Sequence, residues 1–455
     1  MTIRAIKEYD NYQICELSWL NKIPHHWRLE RVKSLTKTQS GTTPQSGTSD
    51  YYDDGTFFWV RTTDLNNNRL YTSEFKITDL AIKHCGLKLI PPKSVLLAMY
   101  GGMGTIGKNS ILEETVTINQ SVCAVLPQKK KFDSIYLWYY MQYFRPHWEM
   151  FADSARKDPN INQEAIKRLW VTIPPLSEQK AIADYLDSET SHIDRKIELL
   201  TQKAIQYGKL KHSLINETVT RGLDKSVAIK NSGVEWIGEV PEHWDVKRLK
   251  ELGVLYSGLS GKKGEDFTDE HEFSSNFIPF VNVANNQYIS PTEMNKVIVY
   301  PNEKQNKVRK NDLFFLMSSE NHDDIGKSAL LEVDIVDTYL NSFCRGFRFE
   351  KKGIKPKFIN YLLASVKCRN HLSVEGKGFT RINLKIEKIN DLLLMIPPLP
   401  EQTAIADFLD EKTARIDRIF ETINIQIDKL KELRKTLIND LVTGKIRATK
   451  EGATE

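Results

Sequence analysis

Five absences set the first limits on this chain. No uninterrupted apolar run reaches the roughly 18–20 residues that a membrane helix needs. The N-terminus, Met1-Thr2-Ile3-Arg4-Ala5-Ile6-Lys7-Glu8, lacks the apolar core of a signal peptide, so a cytoplasmic protein without a membrane role is expected. Cysteine is scarce: Cys15, Cys85, Cys123, Cys344 and Cys368 are scattered and never form a Cys-x-x-Cys pair, which argues against structural zinc and a disulfide framework. Charge of one sign is not in large excess either. The balance of 64 Lys+Arg against 59 Asp+Glu leaves +5, which permits an acidic partner without requiring one. Catalytic signatures are also missing. There is no Asn/Asp-Pro-Pro-Tyr/Phe tetrapeptide of the kind amino-methyltransferases use and no nuclease-like carboxylate cluster followed by Glu-x-Lys, and the ten histidines are dispersed.

What is present is length and repetition. At 455 residues the chain exceeds one ordinary core. Residues 174–195 open Pro174-Pro175-Leu176-Ser177-Glu178-Gln179 and close Ile193-Asp194-Arg195; shifted by 223, Pro397-Pro398-Leu399-Pro400-Glu401-Gln402 leads to Ile416-Asp417-Arg418, with 15 of 22 positions identical. At a shift of 217, Trp19, Pro24, His26, Trp27, Arg31 and Lys33 meet Trp236, Pro241, His243, Trp244, Arg248 and Lys250. The ends of each unit are constant and the middles vary, as expected of two modules that share a docking frame but recognise different things.

Each Pro-Pro-Leu stretch is extended and precedes a helix. Ser177 suits the N-cap, with Pro400 at the matching place, and glycine suits the C-caps near Gly222 and Gly444. A heptad seam runs through Ile193, Leu200, Tyr207 and Leu214, with Ile197 and Ala204. It recurs at Ile416, Ile423, Leu430 and Leu437, with Phe420 and Ile427. Two helices of roughly 44 residues, each about 66 Å long, would form a rigid spacer as a coiled coil.

The middles read as β-rich, with strands at Phe57–Val60, Ser94–Met99, Val122–Leu126, Phe277–Val281, Asp312–Met317 and Phe343–Phe349. Helices are expected at Ser134–Phe144 and Lys357–Lys367. Residues 1–174 carry 22 basic and 17 acidic side chains, and residues 235–396 carry 23 of each, so nucleic-acid contact would depend on local placement. Gly102-Met103-Gly104-Thr105-Ile106-Gly107-Lys108 resembles a phosphate-binding loop. Asn109 nevertheless stands where Ser or Thr would hold magnesium, and a strand pattern follows; a glycine-rich turn is the better reading. Lys129-Lys130-Lys131 reads as an exposed charge run. The shared Pro-x-His-Trp element holding His26 and His243 reads as structural.

Taken together, the paired Pro-Pro-Leu-x-Glu-Gln-x-x-Ile segments, the repeated Pro-x-His-Trp element, Gly41-Thr42-Thr43-Pro44, Ile106-Gly107-Lys108 and Asn119-Gln120-Ser121 resemble the specificity subunit of Type I restriction–modification systems. The second copy departs from the pattern: Gly-Thr-Thr-Pro is absent near Ser257, and Leu340-Asn341-Ser342 replaces Asn-Gln-Ser. The resemblance implies an α+β fold with two target recognition domains, at 1–173 and 223–396. Spacer helices at 174–222 and 397–445 would form an antiparallel coiled coil with pseudo-twofold character, followed by a tail at 446–455. It further implies a non-catalytic subunit that reads bipartite double-stranded DNA and recruits two methyltransferase and two ATP-dependent restriction subunits. Those partners would bring S-adenosylmethionine, ATP and magnesium, and this chain would bind no cofactor itself. Polar residues in loops beside strands are the expected DNA contacts: Thr42, Thr43, Arg61, Thr62, Asp64, Tyr100, Lys108 and Asn119, then Lys262, Lys263, Asn282, Asn285, Ser318, Asn321, Lys327 and Arg381.

Overall fold

The two Pro-Pro-Leu segments each lead into one unbroken helix, Leu176–Arg221 and Leu399–Val442. The carbonyl of Pro175 accepts the amides of Glu178 and Gln179 at 2.9 Å each, and that of Pro398 accepts those of Glu401 and Gln402 at 3.0 Å each. Ser177, expected at the N-cap, therefore lies inside the first turn: the proline carbonyl closes that turn, and Pro400 fits because its missing N–H is not needed there. Gly222 and Gly444, both at φ +74°, end the helices in the left-handed conformation that glycine tolerates best.

The computed structural model describes residues 7–102, 104–128, 131–152, 160–378 and 380–448. Met103 of the glycine-rich stretch, Lys129 and Lys130 of the charge run, and residues 449–455 of the expected tail lie outside them. The chain divides into two compact units, Met1–Leu200 with Ile425–Glu455, and Thr201–Asn424. The division falls in the middle of both long helices, whereas the sequence reading assigned each helix whole.

Within Thr201–Asn424, Gly208 faces Phe420 and Lys211 pairs with Asp417 at 2.6 Å, so one number rises by three as the other falls by three: the helices run antiparallel. In the other unit Arg434 pairs with Asp194 at 3.1 Å. Of the seam residues, Ile193, Ile416, Ile423 and Leu437 are buried and the remaining eight half-buried, while Leu199, Ile205, Leu210, Ile425 and Leu433 between them are exposed. That narrow buried stripe is the signature of a coiled-coil seam.

In the first module a five-stranded sheet runs Thr36–Ser40, Val122–Pro127, Val95–Ala98, Asn109–Leu112, Asn68–Leu70, beside a three-stranded one, Thr117–Ile118, Phe57–Val60, Lys76–Ile77. The second module repeats the first four strands of the larger sheet, as Gly253–Ser257, Cys344–Phe349, Leu313–Leu316, Ser328–Leu330, with a single Tyr288–Leu330 bridge at the fifth place, and the whole of the smaller one, as Thr338–Leu340, Ser274–Ile278, Asn295–Ile298. Period-two alternation splits the central strands between two cores. Val95 and Leu97 pack with Tyr136, Tyr140 and Phe144 of the helix Ser134–Phe144, while Leu96 and Ala98 pack with Val60 and Val122. Leu313 and Phe315 against Phe314 and Leu316 do the same in the second module. Most expected strands lie within a residue of their observed bounds, and two elements differ by more. The strand placed at Phe277–Val281 is Ser274–Ile278, because Pro279 cannot donate to the ladder and instead precedes the helix Phe280–Asn285. The helix placed at Lys357–Lys367 is two, Pro356–Leu363 and Val366–Glu375, the second capped by Ser365, whose hydroxyl accepts the Cys368 amide.

The constant motifs meet in space. Gln179 is buried; its amide donates to the Pro174 carbonyl at 2.9 Å and its oxygen accepts the Asp133 amide at 2.8 Å, tying the start of the helix Ser134–Phe144 to the long helix. Gln402 repeats this with Pro397 at 2.9 Å and Lys355 at 2.8 Å. Glu178 accepts from His26 at 2.9 Å and from Tyr9, and Glu401 accepts from His243 at 2.6 Å and Trp244 at 3.2 Å. Replacing either glutamine by alanine strands a buried amide and carbonyl. Gln179→Ala and Gln402→Ala should each lower unfolding free energy by about 1–3 kcal/mol in denaturant titration.

Candidate nucleic-acid interface

Four backbone hydrogen bonds gather the loops of the first module: Thr42 to the Ile118 carbonyl (3.1 Å), Asn119 to Val60 (3.0 Å), Met99 to Ser121 (2.8 Å) and Ile161 to Met99 (2.9 Å). The second module makes the same four with different residues: Leu259 to Leu340 (2.7 Å), Asn341 to Ile278 (3.0 Å), Met317 to Phe343 (3.1 Å) and Leu384 to Met317 (2.9 Å). Backbone geometry thus equates Thr42 with Leu259, Thr43 with Ser260, Arg61 with Pro279, Tyr100 with Ser318, Asn119 with Asn341 and Gln120 with Ser342. The Asn-Gln-Ser match is therefore one residue out of step from the sequence reading: Asn341 is retained, and Ser342-Phe343 replaces Gln120-Ser121.

The loop opening the cluster begins at Gly41 or Gly258. A Cβ on Gly41 would strike the Ile118 carbonyl, and one on Gly258 the Asn341 carbonyl, so only glycine lets these strands approach. The signal was available: Ser40-Gly41 and Ser257-Gly258 are separated by the 217 residues that relate the Pro-x-His-Trp elements.

The glycine-rich turn is also shared. Gly107 (φ +70°) donates to the Ala98 carbonyl at 2.9 Å, and Ala98 donates back to the carbonyl of Lys108 at 2.8 Å; Gly326 (φ +68°), Leu316 and Lys327 repeat the pattern at 2.8 and 2.9 Å. A Cβ at Gly107 would enter the Trp148 ring. Strands follow, at Asn109–Leu112 and Ser328–Leu330, so no helix N-terminus is aimed at a phosphate and the turn is not a nucleotide loop.

Among the expected contacts, Thr42, Thr43, Tyr100, Lys263, Asn285, Asn321 and Arg381 are exposed, and Arg61, Thr62 and Lys108 are half-buried. Others have internal work. Asp64 accepts the Arg61 amide at 2.8 Å and the Ser73 hydroxyl at 3.1 Å. Asn119 fixes its own turn by accepting the Ser121 amide at 3.1 Å, as Asn341 does with Phe343 at 2.9 Å. Asn282 is fully buried, donating to the carbonyls of Ser290 and Glu293 at 2.9 and 2.8 Å. The Lys262 ammonium pairs with Glu303 at 2.6 Å and its side chain is only 6% exposed. Lys327 pairs with Asp324 at 2.5 Å, and the Asn321 amide donates to the same carboxylate at 2.7 Å. Ser318 is buried. Asn282, Lys262 and Ser318 thus leave the set of side chains free to meet a ligand in this conformation. Sequence reasoning passed over Gln120, Ser260, Ser342 and Phe343, all exposed members of the same loops. Both arginines among the expected contacts lie over aromatic rings: Arg61 over Phe75 at 3.4 Å and Arg381 over Phe343 at 4.9 Å. Among the described residues no cluster of three His, Cys, Asp or Glu side chains could hold a metal, and no helix is long and apolar enough to cross a membrane.

Comparison with known proteins bears directly on this arrangement. The family model described as "Type I restriction modification DNA specificity domain" matches residues 24–206 and 241–429. Two specificity subunits of Type I restriction enzymes from Methanocaldococcus jannaschii, MjaVIII and MjaIX, are 24% and 27% identical; each match covers 94% of this chain, and 94% and 95% of those proteins. A solved structure described as showing complex assembly and conformational transition of the type I R-M system superposes with TM-score 0.71 at 13% identity, over 92% of this chain and 98% of that one. The HsdS subunit from Thermoanaerobacter tengcongensis gives 0.52 at 14% identity, over 93% and 98%. At these identities the structural matches speak to the fold.

Because only glycine fits at the mouth of each loop cluster, Gly41→Ala and Gly258→Ala should detach that loop. The amides of Thr42 and Leu259 respectively should lose hydrogen-exchange protection while core amides such as Leu96 and Phe314 keep theirs.

Proposed function

The chain belongs to the Type I restriction–modification DNA specificity family, and from that footing we propose that its two modules read the two halves of one bipartite duplex sequence. The observation that carries this is the pair of loop clusters. They share backbone hydrogen bonds and the glycine approach, yet present different side chains at equivalent exposed positions, such as Thr43 against Ser260 and Gln120 against Ser342, while Arg61 and Tyr100 have the buried Pro279 and Ser318 as counterparts. A common scaffold with different polar tips is what recognition of two unlike sequences requires, because phosphate contacts position a protein and base edges specify the sequence.

The long helices act as the ruler that fixes the distance between half-sites. The chain carries no catalysis of its own. Two methyltransferase subunits and two ATP-dependent restriction subunits dock on the duplicated frame and bring S-adenosylmethionine, ATP and magnesium. The near-neutral balance of residues 235–396 fits this division of labour, since partners share the work of holding DNA. Chromosomal DNA as the target places the assembly in the cytoplasm of a bacterial or archaeal cell. An autonomous enzyme is the rival reading, and purified chain alone transferring methyl groups to DNA would establish it.

Replacing residues 35–160 with the corresponding module of a relative, then mapping methylated sites genome-wide, should change one half of the recognised sequence and leave the other; a motif unchanged or altered in both halves would sink the reading. Inserting one heptad in each long helix adds about 10 Å, or roughly three base pairs, and the spacer between half-sites should lengthen accordingly. Lys108, half-buried on the shared turn, serves as a phosphate anchor. Lys108→Ala should weaken binding about equally across sequences and lower the salt slope of affinity by roughly one.

A further inference from the structure

Resting on the DNA-reading role above, we propose that Arg381 is the specificity-determining residue for a guanine in the half-site read by the second module, held in reading position by Phe343. Three observations carry it. Arg381 is exposed and enters none of the ion pairs among the described residues, so its charge is not spent inside the fold. Its guanidinium lies over the Phe343 ring at 4.9 Å, and that ring is 45% exposed rather than absorbed into a core. Contact with the ring restrains the guanidinium without using up its N–H donors, which lowers the ordering cost of presenting two of them to O6 and N7 of guanine. The backbone beneath is fixed as well. Lys377 and Asn383 exchange amide–carbonyl bonds at 3.0 and 2.9 Å, and the strand Ile382–Asn383 pairs with Ser318–Ser319. Phe343 itself sits in the turn capped by Asn341, whose carboxamide oxygen accepts the Phe343 amide at 2.9 Å.

A base reader and a phosphate anchor make opposite demands on the duplication. An anchor meets the same backbone in both half-sites and should be a cation in both modules, as Lys108 and Lys327 are on their shared turn. A reader, by contrast, need not recur, because the two half-sites differ in sequence.

The test uses the full chain co-expressed with its methyltransferase subunits and a randomised duplex library as probe, with the selected motif sequenced for the wild type, Arg381→Ala, Arg381→Lys and Phe343→Leu. Arg381→Ala should lose roughly tenfold to a hundredfold preference at one G·C pair of the second half-site, with the first half-site intact. Arg381→Lys should lose most of the same preference, because lysine keeps the charge but not the fork, and Phe343→Leu part of it at the same position. An unchanged motif would overturn the assignment while leaving bipartite reading standing. So would uniform weakening with a smaller salt slope, the mark of a phosphate contact. A wild-type chain that selects no bipartite motif would instead defeat the reading on which the assignment rests. Thermal unfolding of each variant within a degree or two of wild type ties any motif change to the loop.

Discussion

The structure depends on one repeated constraint: a buried carboxamide closing the first turn of each long helix. Gln179 and Gln402 each bond a proline carbonyl just before their own helix and the amide that opens a short helix of their module. Such groups are costly to bury unless satisfied, so each glutamine fixes the orientation of module on helix. The adjacent Glu178 and Glu401 bind the Pro-x-His-Trp element from the other end of the unit. Each loop cluster thereby keeps a reproducible position relative to its own long helix. It also accounts for why Glu-Gln stands in both copies while the loops diverge: the pair acts on the frame, and the frame is common to both.

A second tie shows how much freedom the duplication leaves. In the first unit Arg69 bridges Glu113 and Asp187, with Tyr139 donating to Asp187 at 2.8 Å; burial works against the Glu113 charge, but Lys93 and Arg69 prevail and hold its carboxyl below the ordinary range. In the second unit the equivalent acids Glu332 and Asp410 are bridged by Lys357, with Tyr361 donating to Asp410 at 2.8 Å. The carboxylates and the tyrosine persist while the cation comes from a different part of the chain. Electrostatic neutrality at a half-buried junction is the constraint, and any cation that can reach satisfies it.

Much of this was legible in the sequence for an identifiable reason. The seam obeys a seven-residue period, and the Pro-Pro-Leu starts and glycine ends are local chemistry, so the helices could be bounded to within a few residues. The helix Ser134–Phe144 was placed at its observed bounds for the same reason. What escaped was set by tertiary contacts. Ser177 lost the cap to the carbonyl of Pro175, and the burial of Asn282 and Lys262 depends on where Ser290, Glu293 and Glu303 fold back. Residue type marks a side chain as able to meet DNA; only the fold decides whether an internal partner has already taken it.

The loop equivalences carry this distinction one step further. Between the copies, residues that close turns are retained in kind: Gly41 and Gly258, Asn119 and Asn341, Gly107-Lys108 and Gly326-Lys327. Residues that project from those turns are not. A duplicated reader can change what it recognises only where a side chain has no structural duty, because altering a turn-former forfeits the loop itself. The positions free to diverge are therefore those whose backbones are held from beneath by bonds their own side chains do not make. Thr43 and Ser260, and Gln120 and Ser342, stand closest to that footing: main-chain bonds hold their loops, and the one side-chain tie among them, from the Thr43 hydroxyl to Gln120, joins two projecting residues to each other. Recognition in this chain is variable because its scaffold is not.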